Sequence, residues 1–188
     1  WYYFMEEGIY DLEFLPCLSY GVNRGSSINS VSDSSFSRFL ERIFDLWMDS
    51  GNESVSIRTL ENIIWNTVEG LQSNHCQLSG RCRDFYTITT DGCLYACDSF
   101  VADQEFLYGK NPRAALTEAL CRDTNPVAER LASLCGACHH CEWLEVCRGG
   151  CPYHQKLGED YLGCGQMRCS GRKGLFSHIY ERIRGGTC

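Results

Sequence analysis

The cysteine content constrains this chain more than any other feature of its sequence. Of the 188 residues 14 are Cys, and 12 of them lie between Cys76 and Cys169. Packing of a hydrophobic core does not require such a density, so the sulfurs are predicted to bind something. The densest stretch reads CHHCEWLEVCRGGC and contains Cys138, Cys141, Cys147 and Cys151.

Further cysteines lie at wider spacings. Five residues separate Cys76 from Cys82, fourteen separate Cys82 from Cys97, and seventeen separate Cys151 from Cys169. Thiolates converge on one metal or cluster only where the backbone turns sharply. Gly149 and Gly150 supply that conformational freedom beside Cys151.

Three explanations compete for these sulfurs. Disulfides suit the even cysteine count, but they are expected in small secreted domains, and the N-terminus shows no export signal. Structural zinc favours two C-x2-C pairs, and beside Cys138 and Cys141 only the overlapping Cys135 offers a second pair. Iron-sulfur clusters take four thiolates each and tolerate irregular spacings, so they are favoured here.

The composition of the chain limits the classes of partner that it is expected to bind. The chain is 44% apolar, as in a globular protein with a core, and 17 Lys and Arg against 24 Asp and Glu give a net charge of -7. This charge repels phosphate backbones and anionic lipids, so neither nucleic acid nor a membrane is a predicted partner. No segment has the roughly 20 apolar residues of a membrane span, and a cytoplasmic location is expected.

Hydrophobic periodicity predicts the elements of the first part of the chain. The run Leu12 to Leu18 predicts a buried strand, followed by a polar loop over Tyr20 to Ser30. Apolar residues with helical spacing from Phe36 to Trp47 predict an amphipathic helix, capped by Asp33 or Ser34. A second helix is predicted through Leu60 to Val68, ending at Gly70.

The cysteine-rich part is predicted to begin near Gly70. Two β-rich runs, Phe85 to Thr90 and Cys93 to Cys97, are joined by Asp91-Gly92, which favours a two-residue hairpin. Short helices are predicted over Arg113 to Leu120, Val127 to Leu134 and Lys173 to Ile183.

These motifs resemble the SPASM domain of radical SAM enzymes, in particular of the anaerobic sulfatase-maturating enzymes. The resemblance covers roughly Cys76 to Ile183 and rests on the cysteine spacings, the turn DGCLYACD and the block CxxCxxxxxCxGGCP. It implies an α+β fold, the end of a partial α/β barrel followed by a small domain with a hairpin and short helices around two clusters. The implied domains are 1–70 for the barrel remnant, 71–175 for the SPASM domain and 176–188 for a C-terminal helix and tail.

The resemblance also implies site residues. One auxiliary 4Fe-4S cluster, cluster I, would be held by Cys76, Cys82, Cys97 and Cys151. The other, cluster II, would be held by Cys138, Cys141, Cys147 and Cys169. Asp98 matches the acidic residue thought to take the proton from the target Cys or Ser in sulfatase-maturating relatives, and its other interpretation is a strand-end cap.

One departure from the family is large. Radical SAM enzymes carry a C-x3-C-x2-C motif that binds a third 4Fe-4S cluster and S-adenosylmethionine, and this chain has none. The resemblance therefore implies the C-terminal part of a maturase, inactive as a fragment, whose partners are an N-terminal radical SAM domain, a peptide or protein substrate and an external electron donor or acceptor. Two alternatives remain: a maturase that cross-links ribosomally made peptides, and a non-catalytic zinc-stabilised binding module.

Some residues near the ligands are given simpler roles. His139 and His140 lie in a C-x2-C turn and are interpreted as polar residues that face water. Trp143 is predicted to shield a cluster from solvent. The six cysteines outside the ligand pattern are predicted to be small buried hydrophobic residues, and they are Cys17, Cys93, Cys121, Cys135, Cys164 and Cys188.

Overall fold

The chain folds into two compact units with mixed helices and small sheets. The computed structural model describes residues 1–17, 31–121, 127, 136–156 and 169–185. The first unit, here the helical unit, comprises Trp1–His75 and Gln166–Cys188. The second, here the cysteine unit, comprises Cys76–Gly165. The functional domain boundaries at 70 and 175 remain predictions.

The elements follow one another in short segments. The helical unit begins with α1 (Tyr2–Glu6), β1 (Asp11–Leu12), α2 (Asp33–Ser50), β2 (Ser56–Ile57), α3 (Arg58–Ile64) and a π-helical turn (Trp65–Glu69). The cysteine unit contains α4 (Cys76–Ser79), β3 (Thr87–Ile88), β4 (Leu94–Tyr95), β5 (Leu107–Gly109), α5 (Pro112–Cys121), α6 (Gly136–His139) and α7 (Leu144–Cys147). It also has 3-10 turns at Cys82–Asp84, Asp98–Phe100 and Gln104–Phe106, and residues 152–156 are helical. The helical unit ends with α8 (Cys169–Gly185).

The predicted strand over Leu12 to Leu18 is wrong over residues 13–17. Asp11 and Leu12 form a strand, and they pair in parallel with Ser56 and Ile57. Residues 13–17 form no strand, and Pro16 among them has no N–H to donate to a sheet. Leu18 and the predicted loop over Tyr20 to Ser30 lie outside the described residues.

Helix α2 is confirmed, although its cap differs from the prediction. Ser32 is the N-cap, and its hydroxyl accepts a hydrogen bond from the Ser35 amide at 3.1 Å. Asp33, the predicted cap, is instead buried in the first turn. The helix buries Leu40, Ile43 and Phe44 and ends at Gly51, whose φ of 58° is left-handed. The second predicted helix also ends where expected, at Gly70 with φ 64°.

Helix α8 packs along α2 in the helical unit. The Gly171 amide donates to the Asp33 carboxylate at 3.0 Å, and His178 contacts Asp45 at 2.8 Å. Leu175, Phe176 and Ile179 supply its buried face. The helix begins at Cys169 rather than at the predicted Lys173, because contacts with α2 stabilise a first turn that is weakened by glycine.

The cysteine unit is built on a three-stranded antiparallel sheet in the order β3-β4-β5. The predicted hairpin is confirmed with shorter strands, since Thr87 pairs with Tyr95 and Gly92 adopts φ 81° in the turn. Helix α5 confirms the prediction over Arg113 to Leu120. The predicted helix over Val127 to Leu134 lies outside the described residues except for Val127, which is helical.

The described helices include none that is long and apolar enough to cross a lipid bilayer.

Candidate functional site: a group of cysteines

A buried amide anchors the segment that leads into Cys76. The side-chain oxygen of Asn62 accepts hydrogen bonds from the Ser73 hydroxyl at 2.7 Å, the Asn74 amide at 3.0 Å and the His75 amide at 3.1 Å. Asn62 itself is buried, so these hydrogen bonds also satisfy a polar group that would be costly to leave without partners. No local sequence pattern predicts this anchor, because the partners of Asn62 lie more than ten residues away along the chain.

The four cysteines assigned to cluster I come from four separate segments of the cysteine unit. Cys76 begins α4, and Cys82 begins the 3-10 turn that follows. Cys97 follows β4 in extended backbone, with φ -164°. Cys151 precedes the helical residues 152–156. Cys82, Cys97 and Cys151 carry free thiols.

The Cys82 thiol interacts electrostatically with the other three. Its pKa is raised to about 12, mainly by burial and also by negative charge on Cys151, Cys76 and Cys97. The pKa of Cys97 is raised to about 11, mainly by burial; a hydrogen bond from Ser99 lowers it, and the hydrogen bond to Asp98 raises it. Buried thiols such as Cys82 and Cys97 need positive charge to become the thiolates that bind metal, and iron would supply such charge.

A small hydrophobic core packs against two of these cysteines. Ala96, Phe100, Phe106 and Val127 form it, and Cys82, Cys97 and Tyr153 pack against it. The rings of Phe100 and Phe106 stack with centroids 3.7 Å apart, and Tyr153 meets Phe100 edge-on at 5.2 Å. Apolar packing on one side of a cluster limits its access to water, which is one determinant of reduction potential.

The cysteines assigned to cluster II lie within or beside helices. Cys138 is within α6, and its carbonyl accepts the Cys141 amide at 3.1 Å, which closes the C-x2-C turn. Cys147 ends α7. Cys169 is the first residue of α8.

A left-handed turn separates Cys147 from Cys151. Arg148, Gly149 and Gly150 have φ values of 52°, 80° and 74°. The Gly150 amide donates to the Cys147 carbonyl at 2.8 Å and closes this turn. The predicted role of Gly149 and Gly150 is thus confirmed, because both adopt backbone conformations that disfavour a side chain.

Asp98 lies beside its neighbouring cysteine. It is exposed and begins the 3-10 turn Asp98–Phe100. The Cys97 thiol donates a hydrogen bond to the Asp98 carboxylate with 3.1 Å between the two heavy atoms. The Val101 amide donates to the Asp98 carbonyl at 3.2 Å, so the backbone of Asp98 is held while its carboxylate faces solvent.

The chemistry of the cluster I group suits an iron-sulfur cluster. Within the described ranges no three His, Cys, Asp or Glu side chains converge closely enough to hold a single metal ion. A 4Fe-4S cluster does not require such convergence, because each of its four thiolates binds a different iron. The Cys82 thiol, which is affected by the charges of Cys151, Cys76 and Cys97, therefore belongs to a group whose donor chemistry fits such a cluster.

The simpler roles predicted for residues near the proposed ligands agree with the structure only in part. His139 and His140 are exposed, as expected for residues that face water. Cys93 is buried, but Cys17 and Cys121 are exposed, so the prediction of buried hydrophobic roles is wrong for these two. Trp143 is half-buried at the start of α7. Cys135, Cys164 and Cys188 lie outside the described residues.

Comparisons with known proteins place the chain beside radical SAM enzymes. No protein-family model matches it. The cysteine-type anaerobic sulfatase-maturating enzyme of Clostridium perfringens strain 13 is 28% identical over 188 residues, covering 96% of this chain and 50% of the relative. The serine-type enzyme of Klebsiella pneumoniae is 28% identical over 177 residues, covering 92% and 42%.

Solved structures agree with these relatives. Native anSMEcpe with bound AdoMet superposes with a TM-score of 0.78 at 26% identity, covering 98% of this chain and 51% of that one. Its complex with the Cp18Cys peptide superposes equally well. The chain thus spans about half the length of the curated relatives and solved structures that it matches.

The fold is that of the C-terminal half of a radical SAM/SPASM enzyme. More particularly, the homologues of this chain are anaerobic sulfatase-maturating enzymes, which confirms the resemblance predicted from the cysteine spacings.

Proposed function

We propose that this chain is the C-terminal part of a radical SAM maturase that oxidises a Cys or Ser side chain of a peptide or protein to formylglycine. The observation that carries the proposal is the grouping of Cys76, Cys82, Cys97 and Cys151, drawn from four segments, around the Cys82 thiol. The relatives over nearly the whole chain are maturases of this kind. Solved neighbours with bound peptides support a peptide substrate.

In this proposal the cysteines hold two auxiliary 4Fe-4S clusters. Cys76, Cys82, Cys97 and Cys151 hold cluster I, and Cys138, Cys141, Cys147 and Cys169 hold cluster II. When bound, the clusters supply sites that accept and pass on single electrons. S-adenosylmethionine and a third cluster belong to an N-terminal radical SAM domain, and an external donor or acceptor exchanges electrons with the enzyme in the cytoplasm.

Asp98 is proposed to take the proton from the target side chain. Oxidation of a thiol or hydroxyl carbon removes protons as well as electrons, so a positioned carboxylate assists it. The Cys97 thiol donates a hydrogen bond to one Asp98 oxygen. A Cys97 sulfur bonded to iron has no proton to donate, so that oxygen becomes available to a substrate.

Iron content tests the proposal directly. After anaerobic reconstitution the full chain is expected to be brown and to contain about eight irons, as two 4Fe-4S clusters require. Cys82→Ala and Cys141→Ala should each reduce this to about four irons, since each removes a ligand of a different cluster. Cys93→Ala, which removes a buried cysteine outside both sets, serves as the matched control and should keep all the iron.

The alternative of a zinc-stabilised module predicts a different result. A colourless chain that contains zinc and no iron would contradict the proposal, as would iron that is unaffected by Cys82→Ala.

A further inference from the structure

A half-buried lysine joins the two segments that carry Cys97 and Cys151. The Lys156 ammonium donates to the Asp103 carboxylate at 2.7 Å and to the Glu105 carboxylate at 2.6 Å. It also lies 4.9 Å from the centroid of the Phe106 ring. Lys156 is part of the helical segment that follows Cys151, whereas Asp103 and Glu105 belong to the loop that follows Cys97 and Asp98.

The loop over residues 97–106 is closed on itself. The Ala96 amide donates to the Phe106 carbonyl at 3.1 Å, which joins its two ends. The Asp103 carboxylate also accepts a hydrogen bond from the Glu105 amide at 3.2 Å. Asp103 therefore both caps the 3-10 turn and binds Lys156. Any displacement of Asp103 is therefore transmitted through a short, closed loop to Cys97 and Asp98.

The loop contains a strained residue. Ala102 adopts φ 72°, a left-handed conformation that residues with a side chain disfavour. Such a conformation persists only where the surrounding contacts impose it. Ala102 directly precedes Asp103, so the contact between Asp103 and Lys156 is one of the contacts that can hold it there.

Apolar packing and ion pairs both hold this loop. Phe100 meets Tyr153 edge-on at 5.2 Å, and the burial of apolar surface that such a contact provides is non-directional. A cation shared by two carboxylates is directional, and Lys156 is only 24% exposed, so solvent screens these pairs less than fully exposed ones. Burial lowers the pKa of Lys156, but the hydrogen bonds to Asp103 and Glu105 raise it to a greater extent, which keeps the ammonium charged.

We propose that Lys156 is a positioning residue, which holds the loop carrying Cys97 and Asp98 against the helical segment that follows Cys151. By this link it fixes two ligands of cluster I and the proposed proton acceptor relative to one another. The inference rests on the proposed function, because Cys97, Cys151 and Asp98 have their roles only there.

The first test needs no iron. In the iron-free full chain Lys156→Met is expected to accelerate amide hydrogen exchange over residues 98–106 about tenfold, because it leaves two neighbouring carboxylates without their shared cation. Lys156→Arg should restore exchange to within about threefold of the original rate, since it keeps the charge and the donors. Lys110→Met, the same chemical change at an exposed lysine of the cysteine unit, should have no effect.

The second test follows iron in the reconstituted chain. Lys156→Met should make about half the iron, the four atoms of cluster I, dissociate about tenfold faster into a chelator, and the electron paramagnetic resonance signal of one reduced cluster should change. The other half serves as an internal control and should dissociate at its original rate. Lys156→Arg should restore both the rate and the signal.

The outcomes separate the two proposals. Unchanged exchange in Lys156→Met, or equal acceleration of both halves of the iron, would overturn the positioning role while leaving the clusters in place. If the unaltered chain binds no iron, the proposed function fails and the role of Lys156 toward the ligands fails with it. Faster exchange in that case would show only a structural link.

Discussion

At the scale of single residues, the chain offers an internal comparison between two pairs of Cys and Asp. The Cys97 thiol donates to Asp98 at 3.1 Å, and the Cys93 thiol donates to Asp91 at 3.3 Å. Both carboxylates are exposed. Only Cys97 belongs to a proposed ligand set, so the comparison separates a carboxylate that is proposed to act in catalysis from one that stabilises a turn.

Asp98→Asn should therefore impair catalysis and spare the clusters. In a complete enzyme that carries this chain we expect kcat for aldehyde formation on a Cys-containing peptide to fall about 10²- to 10⁴-fold, the range for loss of a general base. Iron content should not change, because an amide in place of the carboxylate removes no ligand. The measurement is the rate of aldehyde formation, with iron determined on the same sample.

Asp91→Asn is the matched control for this prediction. It should leave kcat within about threefold, because Asp91 lies in the hairpin turn beside a cysteine outside the ligand sets. Equal losses in the two variants, or a loss of iron in Asp98→Asn, would assign Asp98 a purely structural role.

At the scale of elements, the contact between α2 and α8 depends on one glycine. A Cβ at Gly171 would lie 2.6 Å from the Asp33 carboxylate, 2.6 Å from the Ser37 hydroxyl and 2.8 Å from the Asp33 carbonyl. The carbonyl belongs to the backbone of α2 and cannot rotate away. Any side chain at Gly171 must therefore separate the first turns of the two helices.

We expect Gly171→Ala to lower the free energy of unfolding of the full chain by about 1–2 kcal/mol. Steric overlap in a packed contact costs about 1–3 kcal/mol, and the better helix propensity of Ala returns at most about 1 kcal/mol. A shift of the urea midpoint measures this effect.

Gly174→Ala, three residues further along α8, tests the same reasoning with the opposite sign. Its Cβ would meet only the end of the Glu41 side chain, at 3.4 Å, which can move. This variant should be neutral or more stable by up to about 1 kcal/mol. A stable Gly171→Ala variant would show that α8 does not approach α2 this closely.

Helices and turns were predictable from the sequence wherever hydrophobic periodicity or turn residues determine them locally. The periodicity from Phe36 to Trp47 predicted α2, and Asp91-Gly92 predicted the hairpin turn. The early start of α8 was not predictable, because its glycine-containing first turn is stabilised by Asp33, far away in the sequence. The strand predicted at Leu12 failed because β1 pairs over only two residues with a distant β2.

At the scale of the whole molecule, the residues of the proposed site were predictable only where the spacing of the cysteines indicates them. The spacings indicated the cysteine sets through the resemblance to the SPASM domain, whose relationship the relatives confirm. No such pattern predicted the roles of Lys156 and Asn62, since the hydrogen-bond partners of these side chains lie far away along the chain. Residues of this kind become visible only when the fold brings their partners together.

The two proposed ligand sets interleave along the chain, and this has consequences for stability. Cys151 joins the set that begins with Cys76, although Cys138, Cys141 and Cys147 precede it. Because loss of one ligand releases its whole cluster, Cys151→Ser opens the loops of cluster I, the longest of which runs from Cys97 to Cys151, whereas Cys141→Ser opens the shorter loops of cluster II. The entropy that a cross-link removes from the unfolded chain increases with the length of the loop.

Cys151→Ser should therefore destabilise the iron-loaded chain more than Cys141→Ser does. Loop-closure entropy predicts a difference of about 2 kcal/mol, or a melting temperature about 4–8 °C lower for Cys151→Ser in a chain of this size. Calorimetry on anaerobically reconstituted samples measures it. In the iron-free chain the two variants should melt within about 2 °C of each other, because no cross-link is present and the substitutions are alike. Equal melting temperatures of the iron-loaded variants would mean that Cys151 does not belong to the same cluster as Cys97, and the interleaved assignment would be wrong.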